Sequence, residues 1–251
     1  MTRGWQVFAP EPAVEDWRAA ALGPAVEASA REPRRHGGTW CVGVDALDND
    51  SAGRVGGGPV LAGAAFDAAV AETGARALHR AQISVTYPGY PRRDEGESDG
   101  NHRFRRDRDA AHLDGLLPVG SKKRRHLQEP HAWILGIALT KADAGAAPLV
   151  VWEGSHHVIR RAFEQAFDGI DARDWAAQDV TDIYIAARAE VFRTCARVEL
   201  PLPPGQSVLL HRMVIHGVAP WAEGAMAAPE GRAIAYFRPR FADPADWLTR
   251  A

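Results

Sequence analysis

His112-Leu113-Asp114 and, far down the second half of the chain, His216 restrict the folds open to this sequence more than any other feature. In an extended segment residues i and i+2 project to the same side, so His112 and Asp114 can reach one point while Leu113 turns into the packing behind them. Two imidazoles and one carboxylate on one face suit a divalent iron and leave coordination positions open. The third ligand must arrive from a distant strand, so the fold has to bring remote strands side by side. His216 follows the apolar run Ser207-Val208-Leu209-Leu210, which starts after a Pro203-Pro204-Gly205-Gln206 turn.

The rest of the chain reads as helices first and strands later. Ala13 to Arg31 has apolar residues at helical spacing with a break expected at Gly23-Pro24, and Leu61 to Glu72 reads as a second helix. Strands are expected at Thr39 to Val44, Gln82 to Tyr87, Ala132 to Thr140, Leu149 to Trp152, Val198 to Leu202, Ser207 to His211 and Arg232 to Phe237. Ala162 to Arg193 mixes aromatics with charges, which predicts a helical insertion packed on the strands. This order predicts an α+β protein, a jelly roll with flanking helices. The division is a single domain over 1–251, with a helical part over about 1–80 and a jelly-roll core over about 81–242.

Hydrophobic residues make up 46% of the 251, enough for a substantial core, and the net charge of −2 gives no overall drive toward nucleic acid or an anionic membrane. Met1 to Phe8 has no apolar core of signal-peptide length and no segment approaches a membrane span, so a soluble, cytoplasmic protein is expected. Cys41 and Cys195 fit no metal-binding spacing and are too few for a disulfide framework. The sequence carries no signal for oligomeric state.

Between and after the ligands stand Ala147-Pro148-Leu149-Val150-Val151-Trp152-Glu153-Gly154-Ser155-His156 and Gly231-Arg232-Ala233-Ile234-Ala235-Tyr236-Phe237. In that order the set resembles the phytanoyl-CoA dioxygenase family of Fe(II)/2-oxoglutarate-dependent oxygenases, over about Gln82 to Phe237. The resemblance implies a double-stranded β-helix of cupin-like form and an iron held by His112, Asp114 and His216. It also implies 2-oxoglutarate anchored by Arg232, with Gln82 and Tyr87 at positions that touch cosubstrate or substrate. The implied reaction uses dioxygen and 2-oxoglutarate to hydroxylate a small organic substrate, releasing succinate and CO2. Asp114 favours hydroxylation, because halogenating relatives have a small residue there. The stretch from His216 to Arg232 is longer than is usual in the family, with an extra loop expected at Glu223-Gly224-Ala225-Met226, and Glu153 stands where a proline is common.

Several residues have competing readings. His112 and Asp114 alone could form a histidine–carboxylate hydrogen bond. Arg232, on the same side as Ile234 and Tyr236, needs an anionic partner inside a barrel, and a rim salt bridge is the alternative to the cosubstrate. Arg238 and Arg240 are rivals, although Pro239 suggests that the strand has left the barrel. His211 reads as a core or supporting histidine, and His156 and His157 as a hairpin beside the site. Ser155 and His156 lack the Gly-x-Ser-x-Gly elbow of a hydrolase, and Gly56-Gly57-Gly58-Pro59 lacks the rest of a phosphate loop. Arg92 to Asp109 is so polar that a mobile loop is expected, a candidate lid. Lys122-Lys123-Arg124-Arg125 could steer an anionic substrate. A non-catalytic jelly-roll binding protein and a zinc-dependent hydrolase are the alternative functions.

Overall fold

Period-two alternation in the apolar strands, with both faces apolar, requires a sheet covered on two sides. The computed structural model, which describes residues 1–250, has that construction. In chain order the elements are β1 (Trp5–Phe8), α1 (Pro12–Arg31), β2 (Arg34–Arg35), β3 (Trp40–Cys41), α2 (Ala64–Thr73), β4 (Gln82–Thr86) and α3 (Asp99–Asp107). There follow β5 (Leu116–Val119), β6 (Arg124–Leu127), β7 (Trp133–Ala138), β8 (Leu149–Trp152), α4 (Ser155–Ala166), a 3-10 turn over Ala172–Ala177 and α5 (Thr181–Thr194). The chain ends with β9 (Arg197–Leu200), β10 (Ser207–His211), β11 (His216–Val218), β12 (Arg232–Phe237) and α6 (Asp246–Thr249).

A seven-stranded sheet runs β1-β10-β7-β12-β4-β3-β2 and faces a three-stranded sheet, β11-β8-β9. His112 bridges His216 and so adds a fourth, very short strand to the smaller sheet. All the pairings are antiparallel, and strands remote in sequence are neighbours: β12 lies between β4 and β7. This is the jelly-roll arrangement expected from the strand order, and it matches the double-stranded β-helix that the family resemblance implies.

Alternation splits each apolar run between two cores. Ile134, Leu149, Val151, Val208, Leu210 and Ile234 fill the space between the sheets. Ile83, Val85, Leu135, Ile137, Leu209 and Phe237 point the other way, into the core shared with α1 and α2. There Trp17 is fully buried, meets Phe237 edge-on at 5.7 Å and donates its indole N–H to the Gly53 carbonyl.

Three local expectations change. Helix α1 runs unbroken through Pro24, because buried Ala21 and Ala25 hold the turn in which Pro24 has no N–H to donate. Residues 92–109 are not all loop: Ser98 caps α3, accepting from Asn101 N, and Glu97 is buried in an ion pair with Arg105. Ser155 to His157 open α4 instead of turning a hairpin, with Gly154 in the left-handed conformation at the strand-to-helix corner. The extra loop after His216 is present, with Trp221 and Ala227 bridging to Ala146 and Ala142 and Met226 exposed.

Candidate metal centre

The two backbone hydrogen bonds between His112 and His216, 2.9 and 3.1 Å, set the side chains beside one another, with ring centroids 4.6 Å apart. Two glycines permit this approach. A Cβ on Gly217 would lie 2.2 Å from the Asp109 carbonyl oxygen, and one on Gly115 would lie 2.2 Å from that of Glu129. Gly115 also has φ of +87°, which an L side chain rarely adopts. Asp109 and Ala110, themselves at positive φ, are held by Arg197, whose Nε and Nη2 donate to the buried Asp109 carboxylate at 2.7 and 2.9 Å. Before His216 the chain turns sharply, with Ile215 N donating to buried Ser155 Oγ.

One ligand atom from each of His112, Asp114 and His216 lies within 4.8 Å of the other two. His112 Nδ1 is 3.0 Å from the Ala110 carbonyl and His216 Nδ1 is 3.1 Å from that of Val214. A carbonyl only accepts, so each Nδ1 carries the hydrogen, and in the neutral ring Nε2 presents a lone pair. Both Nε2 atoms face Asp114 Oδ1, at 3.3 and 3.8 Å. Two lone pairs and a carboxylate oxygen repel one another unless a cation stands between them. Fixed Nδ1–H groups on carbonyls are also the usual way of orienting metal-binding histidines. A simple histidine–carboxylate bond would leave the second imidazole unexplained.

Electrostatics fit a ligand set. Burial pulls His216 down to about 4, with neighbouring His112 adding to the effect, so the ring is neutral at pH 7. Burial pushes the Asp114 carboxyl up, but His112, which can donate to it only when its ring is protonated, and the charge of Arg238 outweigh burial and hold the group well below the ordinary carboxylate range. Arg238 donates from Nη1 to Asp114 Oδ2 at 3.0 Å. It therefore reaches the centre, contrary to the expectation from Pro239, because β12 continues its direction past Phe237. Arg240 pairs with Glu129 instead.

The triad opens into a cavity of about 530 Å³, whose walls include Trp40, Gln82, Ser84, Leu113, Tyr184 and Tyr236. Gln82 pairs across the sheet with Tyr236, and both face this space. Tyr87 does not. It lies an odd number of residues from Gln82, points to the opposite face and stacks under Arg34 at 3.8 Å, which corrects its assignment as a cosubstrate contact. Arg232 begins β12 opposite Thr86 and is 5% exposed. Its Nη2 and the Thr86 Oγ1 have no hydrogen-bond partner, and among the described residues no carboxylate comes within 4.0 Å of it. Burial pulls Arg232 below its ordinary value, offset in part by Tyr236 and Tyr90. The rim salt bridge is therefore not formed, and a buried guanidinium with no counter-ion and an open Nη2, beside an unpartnered hydroxyl, is what a carboxylate-shaped ligand would complete.

Other candidates are removed from the centre. His211 is a core residue whose Nδ1 accepts from Met213 N, and His156 packs on it at 4.9 Å. Neither they nor His157 line the cavity, and no residue from 92 to 109 does. Of the basic run only Arg125 reaches the cavity, since Arg124 is committed to Asp179 and Asp182. Thr86 and the Asp109–Arg197 pair have no counterpart among the sequence expectations, and Arg238, expected only as a rival anchor, instead supports Asp114; the alternation of Gln82, Ser84 and Thr86 on one strand was the available signal for Thr86.

No family model matches the chain, and no curated protein sequence does. Among solved structures the chain is similar to the non-heme α-ketoglutarate-dependent carbocyclase SnoK of nogalamycin biosynthesis, at 13% identity over 94% of this chain and 80% of that one, with a TM-score of 0.48. It is also similar to AviO1 from Streptomyces viridochromogenes, at 15% identity over 97% and 92% of the two chains, with a TM-score of 0.48. The non-heme α-ketoglutarate-dependent epimerase SnoN of nogalamycin biosynthesis matches at 15% identity over 94% and 78%, with a TM-score of 0.45. No helix among the described residues is long and apolar enough to cross a membrane.

Proposed function

We propose that this chain is a single-domain Fe(II)/2-oxoglutarate-dependent oxygenase of the phytanoyl-CoA dioxygenase type, which hydroxylates a small organic substrate. The observation that carries this reading is the convergence of two Nε2 lone pairs and one carboxylate oxygen on the cavity, with a buried arginine lacking an anion further along β12, the strand that carries Tyr236 of the cavity wall, although Arg232 itself does not line that cavity. His112, Asp114 and His216 would hold the iron. Arg232 and Thr86 would hold the distal carboxylate of 2-oxoglutarate, the guanidinium through charge-assisted bonds. Iron and 2-oxoglutarate together supply the oxidation by dioxygen, with release of succinate and CO2.

The protein's own groups prepare that chemistry. The Nδ1–H bonds to Ala110 and Val214 fix both imidazoles, and Arg238 occupies Asp114 Oδ2 so that Oδ1 is the free ligand oxygen. Leu113, between the two ligands, is buried in the cavity wall and held by its N–H to the Tyr184 hydroxyl. His112 is half-exposed and faces the mouth, the side from which a substrate can approach.

Succinate formation by purified protein supplied with Fe(II), 2-oxoglutarate and air tests the reading. The expected result is slow uncoupled succinate release that stops on chelation and in Asp114→Ala. Metal-dependent activity indifferent to 2-oxoglutarate would favour the hydrolase, and metal binding without succinate formation the binding protein.

A further inference from the structure

The cavity is more cationic than the metal chemistry requires. Six charged side chains line it: Arg35, Asp114, Arg125, Glu129, Arg188 and Arg238. Both carboxylates are spoken for, Asp114 by the ligand set and Arg238, Glu129 by Arg240 and His131. Arg35, Arg125 and Arg188 have no carboxylate within 4.0 Å among the described residues. Arg188 is half-buried and Arg35 and Arg125 reach solvent, so the excess is tolerated without a ligand, but several like charges around one concave mouth attract an anion to it.

Two of these arginines are tethered beside the metal-bearing segment. Arg188 donates from Nη1 to the Ala111 carbonyl at 3.2 Å, and Arg125 donates from Nη1 to that of Leu116 at 3.1 Å. One tether precedes His112 and the other follows Asp114. Each guanidinium spends one N–H on its tether, and that of Arg188 also lies against the Phe104 ring at 4.6 Å and bonds the Tyr184 hydroxyl, which leaves further N–H groups on both. Tyr184 stands one helical turn before Arg188 on α5, with the guanidinium carbon 5.0 Å from its ring. Its hydroxyl accepts from Leu113 N, so its own hydrogen is free to donate into the cavity. The lining also has apolar members: Trp40 and Val42 line the cavity, as do Val44 and Leu117, which are 53% and 40% exposed.

We propose that Arg125, Tyr184 and Arg188 form a carboxylate subsite for the substrate, and that the substrate is an organic acid whose apolar body lies against Trp40, Val44 and Leu117. A carboxylate suits the donors because planar guanidinium groups pair with it bidentately. The proposal rests on the oxygenase reading for the identity of the reaction, but the subsite binds without iron.

The test is a calorimetric panel of aryl and medium-chain alkyl carboxylates, each paired with its primary amide, titrated into the full chain without iron. Acids are expected to bind at least about tenfold tighter than their amides, the worth of one charge-assisted bond. That preference should vanish in R125Q/R188Q. It should persist in K122Q/K123Q, which removes the same charge from residues of the same basic run that do not line the cavity, and persist in saturating 2-oxoglutarate. Circular dichroism and Tm establish that the variants fold. The proposal is overturned by equal binding of acids and amides, by an acid preference that survives R125Q/R188Q, or by failure of the whole panel to bind. It is also overturned if 2-oxoglutarate displaces the acids and itself loses equal affinity in R125Q/R188Q, since the subsite would then belong to the cosubstrate. None of these outcomes bears on iron binding, which is read separately.

Discussion

Arg238 donates to Asp114 Oδ2 at 3.0 Å, so that Oδ1 alone is turned toward the two imidazoles. The bond neutralises part of a buried carboxylate and fixes which oxygen can act as a ligand. Removing such a support costs about 10–100-fold in metal affinity in other metal sites. Arg238→Ala is therefore expected to weaken Fe(II) by that order while leaving 2-oxoglutarate affinity, measured at saturating metal, within a few-fold. Loss of 2-oxoglutarate alone would make Arg238 the cosubstrate anchor.

Arg232 gives the opposite split. Its substitution by Met should weaken 2-oxoglutarate by about a hundredfold, through loss of a buried charge-assisted pair, with Fe(II) little affected. Because the guanidinium is buried with Nη2 unpartnered, the ligand-free variant should be no less stable than the parent, and its Tm should stay level or rise. A large fall in Tm with unchanged 2-oxoglutarate binding would make Arg232 structural.

Much of the centre was legible because it depends on short-range rules. The i, i+2 spacing of His112 and Asp114 and the alternation in β4 and β12 determine facing directly. The same rule, carried to Tyr87, places it on the wrong face for a cosubstrate contact. Less legible was whatever depended on where an element ends. The chain turns at Arg212 and Met213 between β10 and β11, so His211 and His216 belong to different sheets, which the end of the expected strand at His211 does not by itself reveal. Arg188 and Tyr184 sit in a helical insertion whose docking face no local pattern specifies. The polar stretch from Arg92 to Asp109 forms α3 because Ser98 caps it and Glu97 pairs with Arg105, a long-range neutralisation that composition does not reveal.

Residues 92–109 are tied down through Asp94, which accepts from Gly37 N at 2.7 Å and pairs with His36. Asp94→Ala is expected to raise the rate of limited proteolysis within this segment severalfold, with at most about 1 kcal/mol lost from global stability, since the carboxylate is exposed. Cleavage at the parental rate would show that the tether does not order the segment.

The histidine pair remote from the centre predicts acid sensitivity. Burial pulls His156 down to about 4 and His211 to about 2, with His157 adding to the first and Arg212 to the second. Lowered folded-state values mean that the unfolded chain takes up protons first. The stability contributed by the neutral rings is thus complete above pH ~6.5 and is lost as pH falls toward 4, by up to ~1.4 kcal/mol per pH unit for each histidine. Denaturant midpoints should fall across this window, and His156→Gln should flatten the slope. A pH-independent midpoint between 6.5 and 4 would contradict the neutral, buried assignment.

The central claim is that His112, Asp114 and His216 hold iron to which 2-oxoglutarate then binds. Anaerobic addition of Fe(II) and then 2-oxoglutarate, followed by visible absorption, tests it most directly. The account predicts a weak charge-transfer band that appears only when both are present, is absent in His112→Ala, Asp114→Ala and His216→Ala, and in Arg232→Met requires far more 2-oxoglutarate. No band in the parent protein at saturating iron and 2-oxoglutarate, or an undiminished band in His216→Ala, would contradict it.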